Sequence, residues 1–244
     1  MTQRTVLRIT GKDRAEFLQG LVTNDIDRLS DGLVYTALLT PQGKLMVDFF
    51  LQEDGDAILL DVAADQAPAL FQRLSMYKLR SEVEITETDL NVSRGTGPTP
   101  EGALPDPRHP ALGWRLIGQD ELSENVDWDA LRVEHVIPET GIELTPDSFL
   151  LEVGFDRLSG VDFKKGCYVG QEVTARMKHK TELRKGLVQV QIEGTAPVGT
   201  PIMAGEKPAG TLYTQSGGKA LAYLRFDRAK GPMQAGDATV TWTP

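Results

Sequence analysis

Asp162-Phe-Lys-Lys-Gly-Cys-Tyr-Val-Gly-Gln-Glu-Val-Thr-Ala-Arg-Met-Lys-His-Lys180 is the most unusual stretch of this 244-residue chain. Gly166 and Gly170 bracket Cys167 and Tyr168 and permit a tight backbone there. From 171 to 178 the pattern is helical, with Glu172 and Arg176 four apart on one face. A glycine loop that runs into a helix N-terminus presents free amide donors and the positive end of a dipole, which suits an anionic group. Residues 164–185 hold seven Lys or Arg (164, 165, 176, 178, 180, 184, 185) against two acids (172, 182). Such a basic segment fits a ligand bearing a carboxylate or a phosphate. Plainer readings stand beside these. A lone cysteine is most often a small buried apolar residue, and a charge run is usually solvated surface.

Around this segment the chain is acidic. Lys plus Arg number 26 and Asp plus Glu 35, for a formal charge of −9. That balance argues against a whole-surface nucleic-acid or acidic-membrane binder, while a local basic patch stays open. Cys167 is the only cysteine, so no intramolecular disulfide framework exists. No run approaches the roughly 20 apolar residues of a membrane span, and no signal peptide is visible. The expectation is a soluble cytoplasmic protein without a membrane partner. Dinucleotide, P-loop and α/β-hydrolase motifs are absent. Three histidines (109, 135, 179) and one cysteine, with no C-x-x-C or H-E-x-x-H, give too few ligands for a metal site of the chain's own. A bound iron–sulfur cluster would require a second chain.

The N-terminal stretch reads as α+β with a largely antiparallel sheet. Val6, Leu7 and Ile9 suggest a strand. Asp13-Arg-Ala-Glu16 has the form of a helix cap with a reciprocal acid, and Phe17, Leu18, Leu21 and Val22 form an apolar face behind it. Strand patterns at 33–39 and 44–51 flank the turn Thr40-Pro41-Gln42-Gly43. Another strand follows at 57–62, then a helix over 65–77 and a strand over 82–87. Five prolines and three glycines between 94 and 110 mark a boundary or a long surface loop. Helical patterning resumes at 127–137. After 183, short β patterns at 187–192, 210–214, 220–226 and 238–243 suggest a small β-barrel.

Lys165-Gly-Cys-Tyr-Val-Gly-Gln-Glu172, with Arg176 following, closely resembles the K-G-C-Y-x-G-Q-E signature of the YgfZ family, folate-binding relatives of the glycine cleavage T-protein. The likeness extends to Phe17-Leu-Gln-Gly20 with Thr23 and Asp25, to Gln42-Gly43-Lys44 leading to Asp48, and to Tyr77-Lys-Leu-Arg80. It also takes in Asp106-Pro-Arg108 with Arg115, Arg132-Val-Glu134 and the β-rich tail. It implies an α+β, GcvT-like multidomain ring with mixed and antiparallel sheets and a small C-terminal barrel. The expected domains are 1–93, 94–183 and 184–244, with 1–93 and 111–183 building a composite body.

The resemblance also implies a cavity for tetrahydrofolate or a one-carbon derivative, and support of iron–sulfur enzymes that include a tRNA-modifying one. Glu134 is the first candidate to accept hydrogen bonds from the pterin. Lys165, Gly166, Tyr168, Gln171, Glu172 and Arg176 complete the expected ligand-binding set, with the anionic tail on Lys165 or Arg176. Cys167 is the expected reactive or redox-sensing residue, partly exposed, and Asp48 the expected acid facing the cavity. Two departures stand out. The T-protein hairpin carries two adjacent acids where this chain has Val47-Asp48, and the R-x-E helix is followed by His135-Val136 instead of glycine. The leading reading is a folate-binding accessory factor for assembly or repair of iron–sulfur clusters, acting with client or assembly proteins. The alternative is a tetrahydrofolate-dependent aminomethyl or methyl transferase using Asp48, with Cys167 structural. A third is a tRNA-contacting module, for which the patch lacks interleaved aromatics beyond Tyr168.

Overall fold

A computed structural model describes residues 3–122, 124–180 and 182–244, apart from the Lys180 side chain. Contacts group the chain into two compact units, 1–126 with 155–173 and 127–154 with 174–244.

In the first unit, β1 (Arg4–Thr10), β2 (Val34–Leu39), β3 (Leu45–Asp54), β4 (Ala57–Ala63) and β5 (Glu84–Glu87) form one antiparallel sheet. The strand order is β2-β3-β4-β1-β5. Side chains alternate across a strand, so Val47, Phe49, Leu51, Leu60 and Val62 share one face. They form a core with Phe17 and Leu18 of α1 (Arg14–Gln19) and Leu70 and Leu74 of α2 (Ala67–Tyr77). The same alternation sends Arg4, Tyr35, Asp48, Phe50 and Asp61 to the opposite face. Tyr35, Phe50 and Asp61 stand in one row across β2, β3 and β4. Both faces are covered, which is why β2 and β4 are buried along their whole length.

The cap expected at α1 does not form. The Asp13 carboxylate instead accepts from the Glu82 amide at 2.7 Å, and no side chain caps the helix. A helix of six residues is held by its tertiary neighbours rather than by its own ends.

The proline-rich stretch is an exposed loop over 96–102, as one of its two readings expected. Its two flanks enter a three-stranded sheet of β6 (Asn91–Gly95), β7 (Leu104–Pro105) and β8 (Trp114–Gly118), ordered β6-β8-β7. Asp106 and Arg108 are buried. Their contacts place 94–126 with the first unit, a different grouping from the three-part division read in the sequence.

In the second unit, α3 (Trp128–His135) starts at Asp127, whose carboxylate accepts from the Ala130 amide at 2.9 Å. It ends at Val136 with φ +53, the left-handed conformation that usually falls to glycine. The His135-Val136 departure thus keeps the backbone turn and places a β-branched residue in a strained region. Beyond α4 (Gln171–Lys180), six strands close a barrel in the order β10-β11-β12-β9-β14-β13. They are β9 (Lys185–Glu193), β10 (Pro201–Ala204), β11 (Lys207–Ser216), β12 (Lys219–Arg225), β13 (Met233–Ala235) and β14 (Ala238–Thr241). Gly217 and Gly218, both at positive φ, make the two-residue turn between β11 and β12. Arg132 ties α3 to the barrel by donating to Glu143 Oε2 at 2.6 Å and Thr214 Oγ1 at 3.1 Å.

Candidate functional site

The loop that presents Cys167 is fixed from both ends. Thr23 donates its hydroxyl to the Gly160 carbonyl at 2.7 Å, and the Asp162 amide donates to the Thr23 carbonyl at 3.0 Å. The Asp162 carboxylate then accepts from the amides of Lys164 and Lys165 at 2.6 and 3.1 Å, turning the chain so that the Lys165 side chain enters the interior. There its ammonium donates to the carbonyls of Gln19 (2.8 Å), Val22 (2.6 Å) and Asn24 (2.9 Å). It also lies 5.1 Å from the ring centre of Tyr168. Burial lowers Lys165 to about 8, against the pull of Asp25 and Asp162, so the ammonium persists at neutral pH. Its three protons are all engaged. Lys165 therefore acts as a clamp on the backbone around α1, whereas the sequence reading gave it an anionic tail.

Tyr168 is buried with it, and between the two Cys167 is exposed. The plain reading of a small buried cysteine does not hold. Gly166 has an ordinary φ and open space at its Cα, but Gly170 is needed. Its φ is +83, and a Cβ there would stand 2.6 Å from the Thr40 carbonyl oxygen and 2.9 Å from Leu39 Cβ. Gly43, at φ +74, would put a Cβ 2.7 Å from Val173 Cβ. The signature loop and the β2–β3 turn thus approach through paired glycines. Gly170→Ala is expected to destabilise the protein by about 2–4 kcal/mol, combining backbone strain with the close contact. Urea unfolding checks this; a midpoint unchanged from wild type would sink it.

The other expected site residues are dispersed. Gln171 is half-buried at the start of α4, and Glu172 and Arg176 are exposed along it. The Lys180 side chain, counted in the basic segment, lies outside the described residues. Glu134 is exposed and ion-paired with Lys219 Nζ at 2.6 Å. The hydrogen bond and charge of Lys219 lower its carboxyl. One of its oxygens is engaged, so a pterin could use both only where the pair with Lys219 opens. Asp48 is buried and accepts from the Tyr35 hydroxyl at 3.0 Å. Burial, followed by the Asp48 charge, pushes that phenol well above its ordinary value. Among the described residues no group of three or more His, Cys, Asp or Glu could hold a metal ion.

Asp48 borders a buried ion network that the sequence reading did not foresee. Asp61 is shared by Arg4 Nε at 2.5 Å and by Arg115. Asp106 pairs with Arg108 at 2.8 Å and Arg115 at 3.6 Å. The guanidiniums of Arg4, Arg108 and Arg115 lie 5.8, 4.9 and 3.9 Å from the Phe50 ring centre. Asp106, Arg108 and Arg115 stood in the sequence only as part of the family likeness, and Asp61 is an acid inside the apolar run Ala57–Ala63.

Residues 184–244 match the C-terminal β-barrel domain of CAF17. The mouse mitochondrial iron–sulfur cluster assembly factor IBA57 is 31% identical over 94% of this chain and 78% of its own length. The chain belongs to the IBA57 family. The human IBA57 is 30% identical with the same coverage, and the Mycosarcoma maydis homologue is 31% identical over 80% of this chain and 57% of its own length. The resemblance to YgfZ thus resolves into an IBA57 membership that shares the T-protein type of fold. That fold appears in the glycine cleavage aminomethyltransferase T of Bartonella henselae, at a TM-score of 0.74 and 14% identity, covering 98% of this chain and 82% of that one. The IBA57 relatives are named as mitochondrial, which lends no support to the cytoplasmic placement expected from the sequence. No helix among the described residues is long and apolar enough to cross a membrane.

Proposed function

We propose that this chain is an iron–sulfur cluster assembly factor in which Cys167 supplies one thiolate to a cluster shared with a second protein. The observation that carries the reading is an exposed thiol on a loop locked by Lys165 and Gly170. A cluster takes several soft ligands. Cys167 is the chain's single cysteine, so the remaining ligands come from the partner, and the cluster is cargo rather than a resident group. The family membership supports the same reading. Preorganisation matters here because a thiolate held on a rigid loop loses little freedom when iron is bound.

Cys167→Ser tests it. Because the side chain is exposed, the variant is expected to unfold at the wild-type urea concentration. Its rate of cluster assembly, followed anaerobically by visible absorbance with iron, sulfide and a cysteine-bearing scaffold protein, is expected to fall about tenfold or more. Assembly at the wild-type rate would overturn the proposal.

Tetrahydrofolate is proposed as a second ligand on the strength of the T-protein type of fold. Since Glu134 is engaged by Lys219, its contact with a pterin requires that ion pair to open. Calorimetry is expected to give tetrahydrofolate binding to the native chain and at least about tenfold weaker binding to Glu134→Ala, the loss of one charge-assisted pair. Equal affinities would remove Glu134 from the site. Iron–sulfur enzymes, tRNA-modifying ones among them, are the proposed clients. Direct stacking on RNA is not favoured, because the Tyr168 ring is buried under the Lys165 ammonium.

A further inference from the structure

The last turn of α2 and the turn after it carry a feature that neither the fold nor the cluster chemistry uses. Among the described residues only four large hydrophobic side chains are exposed, and two are neighbours here: Met76 at 59% and Leu79 at 88%. Leu79 also has φ +38, a left-handed conformation that disfavours leucine, and its side chain is not buried in return. Arg73 and Met76 fall three residues apart on one side of α2, and Arg80 follows directly on the left-handed Leu79. Residues 66–81 contain three cations, Arg73, Lys78 and Arg80, and no acid, within a chain of net charge −9. None of the three has an ion-pair partner among the described residues, and Arg73 sits 6.0 Å from the Tyr77 ring centre. The nearest acid downstream, Glu82, is paired with Lys12 at 2.6 Å.

We propose that this tip is a seat for an anionic lipid bilayer, with Leu79 and Met76 entering the headgroup layer and Arg73, Lys78 and Arg80 meeting lipid phosphates. Two exposed apolar side chains stand within a stretch of net charge +3, the opposite sign to an anionic bilayer. A bilayer asks only for apolar reach and positive charge. Tyr77 is half-buried, which leaves no aromatic platform for bases. The contact is peripheral and reversible. The acidic remainder of the chain is screened from the lipid beyond about 10 Å at 0.1 M salt, so the local charge decides.

The test is sedimentation of the full chain with vesicles of phosphatidylcholine alone and with vesicles containing one third phosphatidylglycerol. About fivefold more protein is expected to pellet with the anionic vesicles, falling to the neutral level in high salt. Leu79→Gly relieves the backbone strain while removing the apolar side chain, so it keeps the fold and is expected to lose most of the bound fraction. Arg80→Gln is expected to halve it or more. Equal pelleting with the two vesicle types overturns the proposal and leaves the tip to a protein partner. Anionic-vesicle binding that both variants retain also overturns it, by assigning the contact to another basic surface such as 164–185.

Discussion

Lys165→Met is expected to lower stability by about 3–5 kcal/mol, because it strands up to three buried backbone carbonyls at about 1–3 kcal/mol each before relaxation. Methionine matches the lysine stem in length and apolar character, so packing is nearly conserved and the loss isolates the ammonium. The carbonyls concerned are those of Gln19, at the end of α1, and of Val22 and Asn24 just beyond it. Lys165 thereby closes a helix end from more than 140 positions away in sequence. Urea unfolding measures the loss, and proteolysis at the 160–170 loop reports whether the loop opens ahead of the rest. Lys165→Arg separates this role from the alternative. A planar guanidinium cannot occupy a cradle built for a compact ammonium, so Arg is expected to destabilise nearly as much as Met. Were Lys165 an anion ligand, Arg would keep both stability and ligand binding. Wild-type stability in Lys165→Arg would therefore refute the clamp.

The same residue shows what the sequence could and could not tell. The hairpin turn 40–43, the helix expected over 65–77 and found over 67–77, and the C-terminal barrel were legible because each depends on local patterning: turn residues, helical spacing and short alternating runs. β10 and β13, four and three residues long, were missed because so short a strand carries almost no period. The K-G-C-Y-x-G-Q-E stretch stood out at once, but the partners of its side chains did not. Lys165 read as a binder of an anionic tail because nothing near it in sequence says that three carbonyls of 19–24 await it. Asp13 read as a helix cap for the complementary reason: its pattern was local, while its true partner, the Glu82 amide, was 69 residues away. Glu134 and Arg132 show the same limit, since two positions on one short helix divide between a solvent-facing pair with Lys219 and a buried one with Glu143. Pattern reveals which face a residue takes; which group it meets there is a property of the fold.

Asp61→Asn is expected to be as damaging as any change near the Cys167 loop, at about 3–5 kcal/mol. Asn keeps the size of the side chain and removes its charge, leaving Arg4 and Arg115 facing each other across a buried site. Against a total stability of about 5–15 kcal/mol, that loss is about a fifth of the margin at the least and all of it at the most. Burial alone would raise the Asp61 carboxyl, yet Arg115 and Arg4 outweigh it and hold it below its ordinary value. The sign of the pH dependence follows from that depression. The pair's contribution is complete above the unfolded carboxyl value of about 4 and is lost as pH falls through the lower folded value. The gap between wild type and Asp61→Asn is therefore expected to be widest near neutral pH and to narrow under acid. A second change discriminates an uncompensated charge from a lost shape. Adding Arg115→Met to Asp61→Asn removes one of the stranded cations, so the double variant is expected to recover part of the stability lost in the single one. The recovery is incomplete, because Arg115 also reaches Asp106 at 3.6 Å and stacks 3.9 Å from the Phe50 ring centre. A loss under 1 kcal/mol in the single variant would mean that the network contributes no more than surface ion pairs do. Asp48 would then owe its position to the Tyr35 hydroxyl and the row Tyr35–Phe50–Asp61 to apolar packing alone, with the three arginines incidental to both.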